Sequence, residues 1–227
     1  QIDRLVSDGM EQEEALYKVL KETIIASQNI RFEGDGYSDE WKDEAARRGL
    51  TNICHVPEAI MKFNDPQSRS VLIGEKIFNE NELNCRIEVE LEKFTKKVQI
   101  ESRVLGDLAI NHIVPTAVIY QNRLLENLRG LKEIFSTEEY EEMTADRKDL
   151  VREIQRRILS IKKAVHDMTE ARKVANHLGS QVEKAFSYEE KVRPYLEEIR
   201  EHIDSLELEI DDEIWPLPKY RELLFTK

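Results

Sequence analysis

Between Glu80 and Phe135 the apolar residues Ile87, Leu91, Phe94, Val98, Leu105 and Leu108 recur at steps of three or four, with one step of seven. Leu124, Leu128, Leu131 and Phe135 resume the rhythm beyond Pro115. Side chains so spaced share one face of a helix, which predicts a single very long amphipathic helix. Asn79 is placed to cap its start, and Glu82, three residues on, completes a capping box. Pro115 cannot donate to the hydrogen-bond ladder and its ring collides with the preceding turn, so a kink is expected there rather than a stop.

A helix of that length needs other helices to cover its stripe. Ser136-Thr137-Glu138-Glu139 is a second capping-box signature. It opens a helix whose stripe is Leu150, Ile154, Ile158, Ile161, Val165 and Met168, and Gly179 ends it. Ser187-Tyr188-Glu189-Glu190 reads as a third box. Beyond it Val192, Leu196, Ile199, Ile203, Leu206 and Ile210 alternate steps of four and three, the heptad spacing of a tight bundle seam. Pro194 lies close to the start of this helix, where it is tolerated better than in the middle.

The N-terminal third is more broken. Leu16, Val19, Leu20 and Ile24 mark an amphipathic helix from Glu11 to about Ser27. Gly34-Asp35-Gly36 is a turn, and Ser38 can cap a helix over Asp39 to about Arg48 that Gly49 closes. Pro57 opens a short helix, and Asp65-Pro66 repeats the device for a helix over about 66–77. The pattern therefore predicts an all-α protein, a bundle of long antiparallel amphipathic helices with a short, loop-rich helical N-terminal part. Residues 1–79 are expected to be short helices and connector, and 80–227 the long-helix bundle with a proline-containing tail.

Composition supports this reading. Charged residues make up 35% and aromatics 7%, with 8 Gly and 6 Pro, a profile that belongs to helical bundles. The net charge of −12 repels a nucleic-acid backbone on average. No apolar run approaches the roughly 20 residues of a membrane span, so neither nucleic acid nor membrane is expected as a partner. Cys54 and Cys85 form no CxxC pair and suggest a reducing, cytoplasmic setting. The first residue is Gln1, which suggests a fragment trimmed at its N-terminus.

Candidate chemistry is thin. A ferritin-like metal site needs Glu-x-x-His on two helices. Glu198 precedes His202 by four residues, and His112, His166 and His177 lack an acid three positions upstream. Gly34-Asp35-Gly36 is a poor phosphate cradle, because Asp35, Asp39 and Glu40 would repel the anion. Cys54-His55 are neighbours without an orienting acid, and Cys54 reads as a buried structural thiol. Arg152, Arg156, Arg157, Lys162 and Lys163 interleave with acids such as Glu153, a solvated face with ion-pair support. No catalytic, cofactor-binding or metal-binding residue is therefore expected. The tail Trp215-Pro216-Leu217-Pro218 is the most unusual local sequence. Trp215 and Leu217 either seal the end of the bundle or serve as interface pegs for another domain or subunit.

Several stretches are similar to the C-terminal region of type III glutamine synthetase, the large bacterial form. They are Arg31 to Trp41 (RFEGDGYSDEW), Glu44 to Leu50 (EAARRGL), Val104 to Ala117 (VLGDLAINHIVPTA), Glu126 to Lys132 (ENLRGLK) and the tail Asp211 to Phe225 (DDEIWPLPKYRELLF). The resemblance runs in order over essentially the whole chain, though no single stretch is a catalytic motif. It implies a parent that joins ammonia to glutamate with ATP through a γ-glutamyl phosphate, using Mg2+ or Mn2+. It also implies an upstream catalytic core of the same chain that holds the ligands, and neighbouring subunits in stacked hexameric rings. No stretch here matches the family's substrate- or metal-binding motifs, so no active-site residue is carried over and no cofactor is expected in this fragment. The alternative is a free-standing helical scaffold or protein-interaction domain with no enzymatic parent.

Overall fold

In the computed structural model residues 1–224 are described, and all regular structure among them is helical. The chain divides into two units, Gln1–Cys54 and His55–Lys227.

In the first unit α1 (Ile2–Ser7) turns through Gly9, at φ +96°, into α2 (Gln12–Ala26), within a residue of the predicted bounds. A short 3-10 turn, Gln28–Ile30, precedes a connector and α3 (Asp39–Arg47). The Ser38 hydroxyl accepts from the Trp41 amide at 3.3 Å, and Gly49 at φ +70° closes the other end, a conformation that favours glycine. Only Ala15 and Ala45 are buried among the described residues of this unit. Its cohesion is instead local and polar. Arg48 donates to the carbonyls of Asn29, at 3.2 Å, and of Arg31. The Phe32 and Trp41 rings lie 4.9 Å apart. Hydrogen bonds from Arg47 and Arg48 hold the Glu44 carboxyl down to about 2.

The second unit begins with α4 (Val56–Met61) and α5 (Pro66–Gly74), each with a proline in its first turn, where the missing N–H has no ladder partner to lose. At α6 (Glu80–Leu108) the predicted capping box is formed. Asn79 Oδ1 accepts from the Glu82 amide at 2.9 Å, and Glu82 accepts from the Asn79 amide at 2.8 Å. At Pro115 the rod does not stop. It widens into a π-turn, Ala109–Ile113, and continues as α7 (Val114–Ile134). Bonding five residues back in place of four relieves the mismatch that proline introduces.

The second box, Ser136 with Glu139, opens α8 (Thr137–Asn176). Its 40 residues span about 60 Å at the α-helical rise. The third expected box is not formed. Ser187 is the last residue of α9 (Gln181–Ser187), its hydroxyl is buried without a partner, and no side chain caps that position. A second π-turn, Tyr188–Val192, carries the rod into α10 (Arg193–Glu209). Pro194 therefore sits inside a helical run from Gln181 to Glu209, preceded by a π-turn as Pro115 is. A final short helix, α11 (Tyr220–Leu223), follows the tail.

The long rods run antiparallel. Gln121 reaches the Val151 carbonyl at 3.1 Å while Arg147 reaches Asn127 at 2.7 Å, which fixes α7 against α8. Ile154, Ile158, Ile161 and Met168 of α8 meet Ile199, Ile203 and Leu206 of α10 and Val98, Ile113 and Ala117 of the first rod in one core. Each large apolar side chain so buried contributes about 1.5–3 kcal/mol of transfer free energy. A second cluster at the start of α6 joins Leu83, Ile87 and Leu91 to Ala185, covered by Ile60, Leu72, Ile73 and Phe78.

The seam on α6 departs from its apolar stripe. Its buried positions run Leu83, Ile87, Leu91, Thr95, Val98, Ser102 and Gly106, so small residues line its second half, and Leu105 and Leu108 lie at the margin. A Cβ added at Gly106 would lie 3.5 Å from Met168 Cε and from Val165 Cγ1, ordinary contact. Gly106→Ala is accordingly expected to raise stability by about 0.5–1 kcal/mol, the helical preference for alanine over glycine. Chemical denaturation measures it, and a lower midpoint would mean that the crossing has no room for a methyl group.

Candidate functional site

Polar side chains pin the elements of the second unit at four places. Arg69 of α5 donates to Asn64 and Asn84, each at 2.9 Å, and pairs with Glu80 at 2.8 Å, which ties α5 to the first turns of α6. The buried Glu189, in the second π-turn, accepts from Arg193 at 2.8 and 3.0 Å and lies 2.8 Å from His55 Nδ1. Tyr188 is fully buried; its hydroxyl donates to Asn176 Oδ1 at 2.8 Å and accepts from Gln99 at 3.1 Å. Arg172 reaches the Ser102 hydroxyl at 3.5 Å, and burial together with the neighbouring Arg103 pushes its pKa down.

Glu209, at the end of α10, has one carboxylate oxygen buried without a partner, and burial pushes its pKa up despite the nearby Arg157. The folded state thus holds this proton more tightly than the unfolded chain. Its contribution is complete below the ordinary value near 4.5 and is lost as pH rises through the raised folded value. Melting temperatures of Glu209→Gln and wild type, measured from pH 4 upward, are expected to diverge with rising pH, the variant being the more stable. Parallel curves would show that the carboxylate is not desolvated.

None of these arrangements brings together a nucleophile, a base and an orienting group. Among the described residues no group of three or more His, Cys, Asp or Glu side chains is placed to hold a metal ion. Asp35 Oδ1 is taken up by the Tyr37 amide at 2.9 Å, and the Asp35 carbonyl receives Ser38, so the Gly34–Gly36 loop is an ordinary turn into α3. Cys54 departs from its expected burial: both cysteines are exposed and free. Residues 50–55 form no regular element, so nothing local covers the thiol. Glu153 pairs with Arg157 at 2.9 Å, as the spacing of that charged face implies. No helix among the described residues is long and apolar enough to cross a membrane. An open groove of about 760 Å3 runs along the start of α6, walled by Ile77, Phe78, Cys85, Arg86 and Val89. Arg86 lies 5.1 Å from the Phe78 ring centre, which closes part of its wall.

The tail is organised around Trp215. Its ring is 8% exposed and belongs to the main core, with Ile214 and Leu217 packed against that core. An Asx turn at Asp211, whose Oδ1 accepts from the Glu213 amide at 3.0 Å, directs the chain back. Asp211 is held in turn by Arg123 at 3.1 Å. Lys219 donates to the Glu207 carbonyl at 2.8 Å and pairs with Asp212, its ammonium 6.0 Å from the Trp215 ring centre. Leu208, beside that anchor, is 88% exposed.

The second unit is thus a long helical bundle closed by a folded-back tail, with exposed apolar residues on its outer faces. The chain matches the family described as glutamine synthetase C-terminal domain over residues 15–132, just over half its length, and it belongs to that family. It is 74% identical over 226 residues to a glutamine synthetase of Bacteroides fragilis, covering 100% of this chain and 31% of that protein. It is 27% identical over 223 residues to the type-3 glutamine synthetase of Dictyostelium discoideum, covering 94% of this chain and 29% of that protein. A glutamine synthetase of Butyrivibrio fibrisolvens is 28% identical over 218 residues, covering 96% and 31%. The resemblance to type III enzymes read from the sequence is thereby established. The chain spans about a third of the length of the relatives it matches.

Proposed function

We propose that this chain is the structural C-terminal part of a cytoplasmic ATP-dependent glutamate–ammonia ligase, supporting the catalytic core and the oligomer and inactive by itself. The carrying observation is the 74% identity, over the whole chain, to a third of a glutamine synthetase. In this reading ATP and Mg2+ or Mn2+ are held by the upstream core. The free, exposed thiols of Cys54 and Cys85 suit a reducing cytoplasm.

Glutamine formation from glutamate, ammonia and ATP, measured for this chain and for the full-length parent, tests the assignment. Activity in the parent alone is expected. Turnover by the chain alone would overturn it and direct attention back to the bundle's carboxylates. In this reading the tail is a candidate assembly contact, with Trp215 fixing the end of the bundle and Leu217 packed at its margin.

A further inference from the structure

We infer that α2 is a docking helix whose apolar stripe is covered by the segment of the enzyme chain that precedes residue 1. The inference rests on the proposal that this chain is the C-terminal part of a longer enzyme, and names the surface through which the two parts meet.

Leu16, Leu20 and Ile24 lie four residues apart and share a face of α2 with Tyr17. They are 45%, 51%, 50% and 68% exposed. Ala15, the only buried residue of the helix, lies on the side turned away from that stripe. The charged residues Glu14, Lys18 and Glu22 share that far side with Ile25, which is 60% exposed. A 15-residue helix is marginal in water without tertiary cover, since helices shorter than about 12–15 residues scarcely form alone.

Its own unit cannot provide that cover. Two alanines are the buried residues of Gln1–Cys54; the Arg48 staple and the Phe32–Trp41 pair lie near α3, and the Arg31 guanidinium meets α2 at the Ile24 carbonyl, at 3.0 Å. A sequence patterned this clearly for burial, in a unit without a core, is complete only against another surface.

The occupant follows from the comparisons. The family match begins at residue 15, inside α2, and is a C-terminal domain. All of this chain aligns within 31% of its B. fragilis relative, so in such a protein most of the chain lies upstream of α1. A covalently joined segment meets α2 at an effective concentration on the order of millimolar, which favours it over a second copy or a separate partner.

Hydrogen exchange across residues 12–26 tests this, measured in the full-length enzyme and in the 227-residue chain at equal concentration. Exchange slower by at least about 100-fold in the full-length protein is expected, with α8 as internal reference for an intact bundle. Leu16→Asp with Leu20→Asp in the full-length enzyme is expected to return α2 to fast exchange and leave α8 protected. Fast exchange in both unsubstituted proteins would overturn the inference. So would slow exchange in both, which would mean cover by the second unit or by a second copy.

A photo-crosslinking residue at Tyr17 of the full-length enzyme decides the last alternative. An intrachain product of unchanged mass on a denaturing gel is expected, and a doubled mass would place α2 against a neighbouring subunit and sink the idea. The synthesis assay is independent of these readouts. An inactive chain together with an α2 left unprotected in the full-length enzyme would refute the docking alone, whereas an active chain would refute the assignment of function.

Discussion

Trp215→Ala is expected to lower the stability of the helical bundle by about 3–5 kcal/mol, the usual cost of emptying a large aromatic site. That corresponds to a fall in melting temperature on the order of 10 °C for a unit of this size. The ring is nearly enclosed by the main core, and the Asp211 turn and the Lys219 anchor hold it there. Leu217→Ala, at a half-buried position, should cost only about 1–2 kcal/mol. The pair of variants separates the two readings of the tail. In the full-length enzyme Leu217→Ala should weaken ring assembly, seen by light scattering, by more than its small loss of stability explains. Unchanged ring size and stability in both variants would leave no role for the tail in assembly. Loss of melting temperature in Trp215→Ala with intact rings would confine the tail to sealing its own bundle.

The second large effect is expected at Tyr188. Its side chain is fully buried in the π-turn before α10, and its hydroxyl joins Asn176 of α8 and Gln99 of α6. Tyr188→Ala should cost about 3–5 kcal/mol through the cavity it leaves. Tyr188→Phe, which keeps the volume and removes both hydrogen bonds of the hydroxyl, should cost about 1 kcal/mol, because Gln99 still donates to Asn176 at 3.2 Å and neither group is stranded. Denaturant unfolding of the two variants measures the difference. Equal losses would assign the stability to the hydroxyl network, and two negligible ones would mean that the core closes around the site.

The features legible in the sequence are those that local chemistry decides. Asn79 with Glu82 and Ser136 with Glu139 form their boxes because side chain and backbone sit three residues apart whatever surrounds them. The stripe of α10 is buried as its spacing implies, since no competing apolar face exists on that helix. Ser187 with Glu190 satisfies the same box pattern and forms none, because α9 carries the helix into that position and leaves no free amides to cap. Pro115 announced a disturbance, but a kink and a π-turn answer the same lost bond, and Pro194, expected near a helix start, lies instead inside the run from Gln181 to Glu209 behind a second π-turn. Ser102 and Gly106 were invisible as core because a close helix crossing needs small side chains rather than apolar ones. In α2 the apolar spacing of Leu16, Leu20 and Ile24 was plain, but a helical period does not say whether its cover lies within the chain. Trp215 was likewise readable as a peg without a direction, until the Asp211 turn gave it one.

In terms of register, each π-turn is a one-residue insertion hidden inside a continuous rod. Winding Ala109–Ile113 at ordinary α-helical pitch, with no residue removed, would turn everything after it by about 100°. The Ala117 and Leu128 positions, buried in α7, would leave the seam together. Length and phase are thus linked in these rods, and α7 and α10 each meet α8 in step because the π-turn before them absorbs the one residue by which the chain is too long for an ordinary helix.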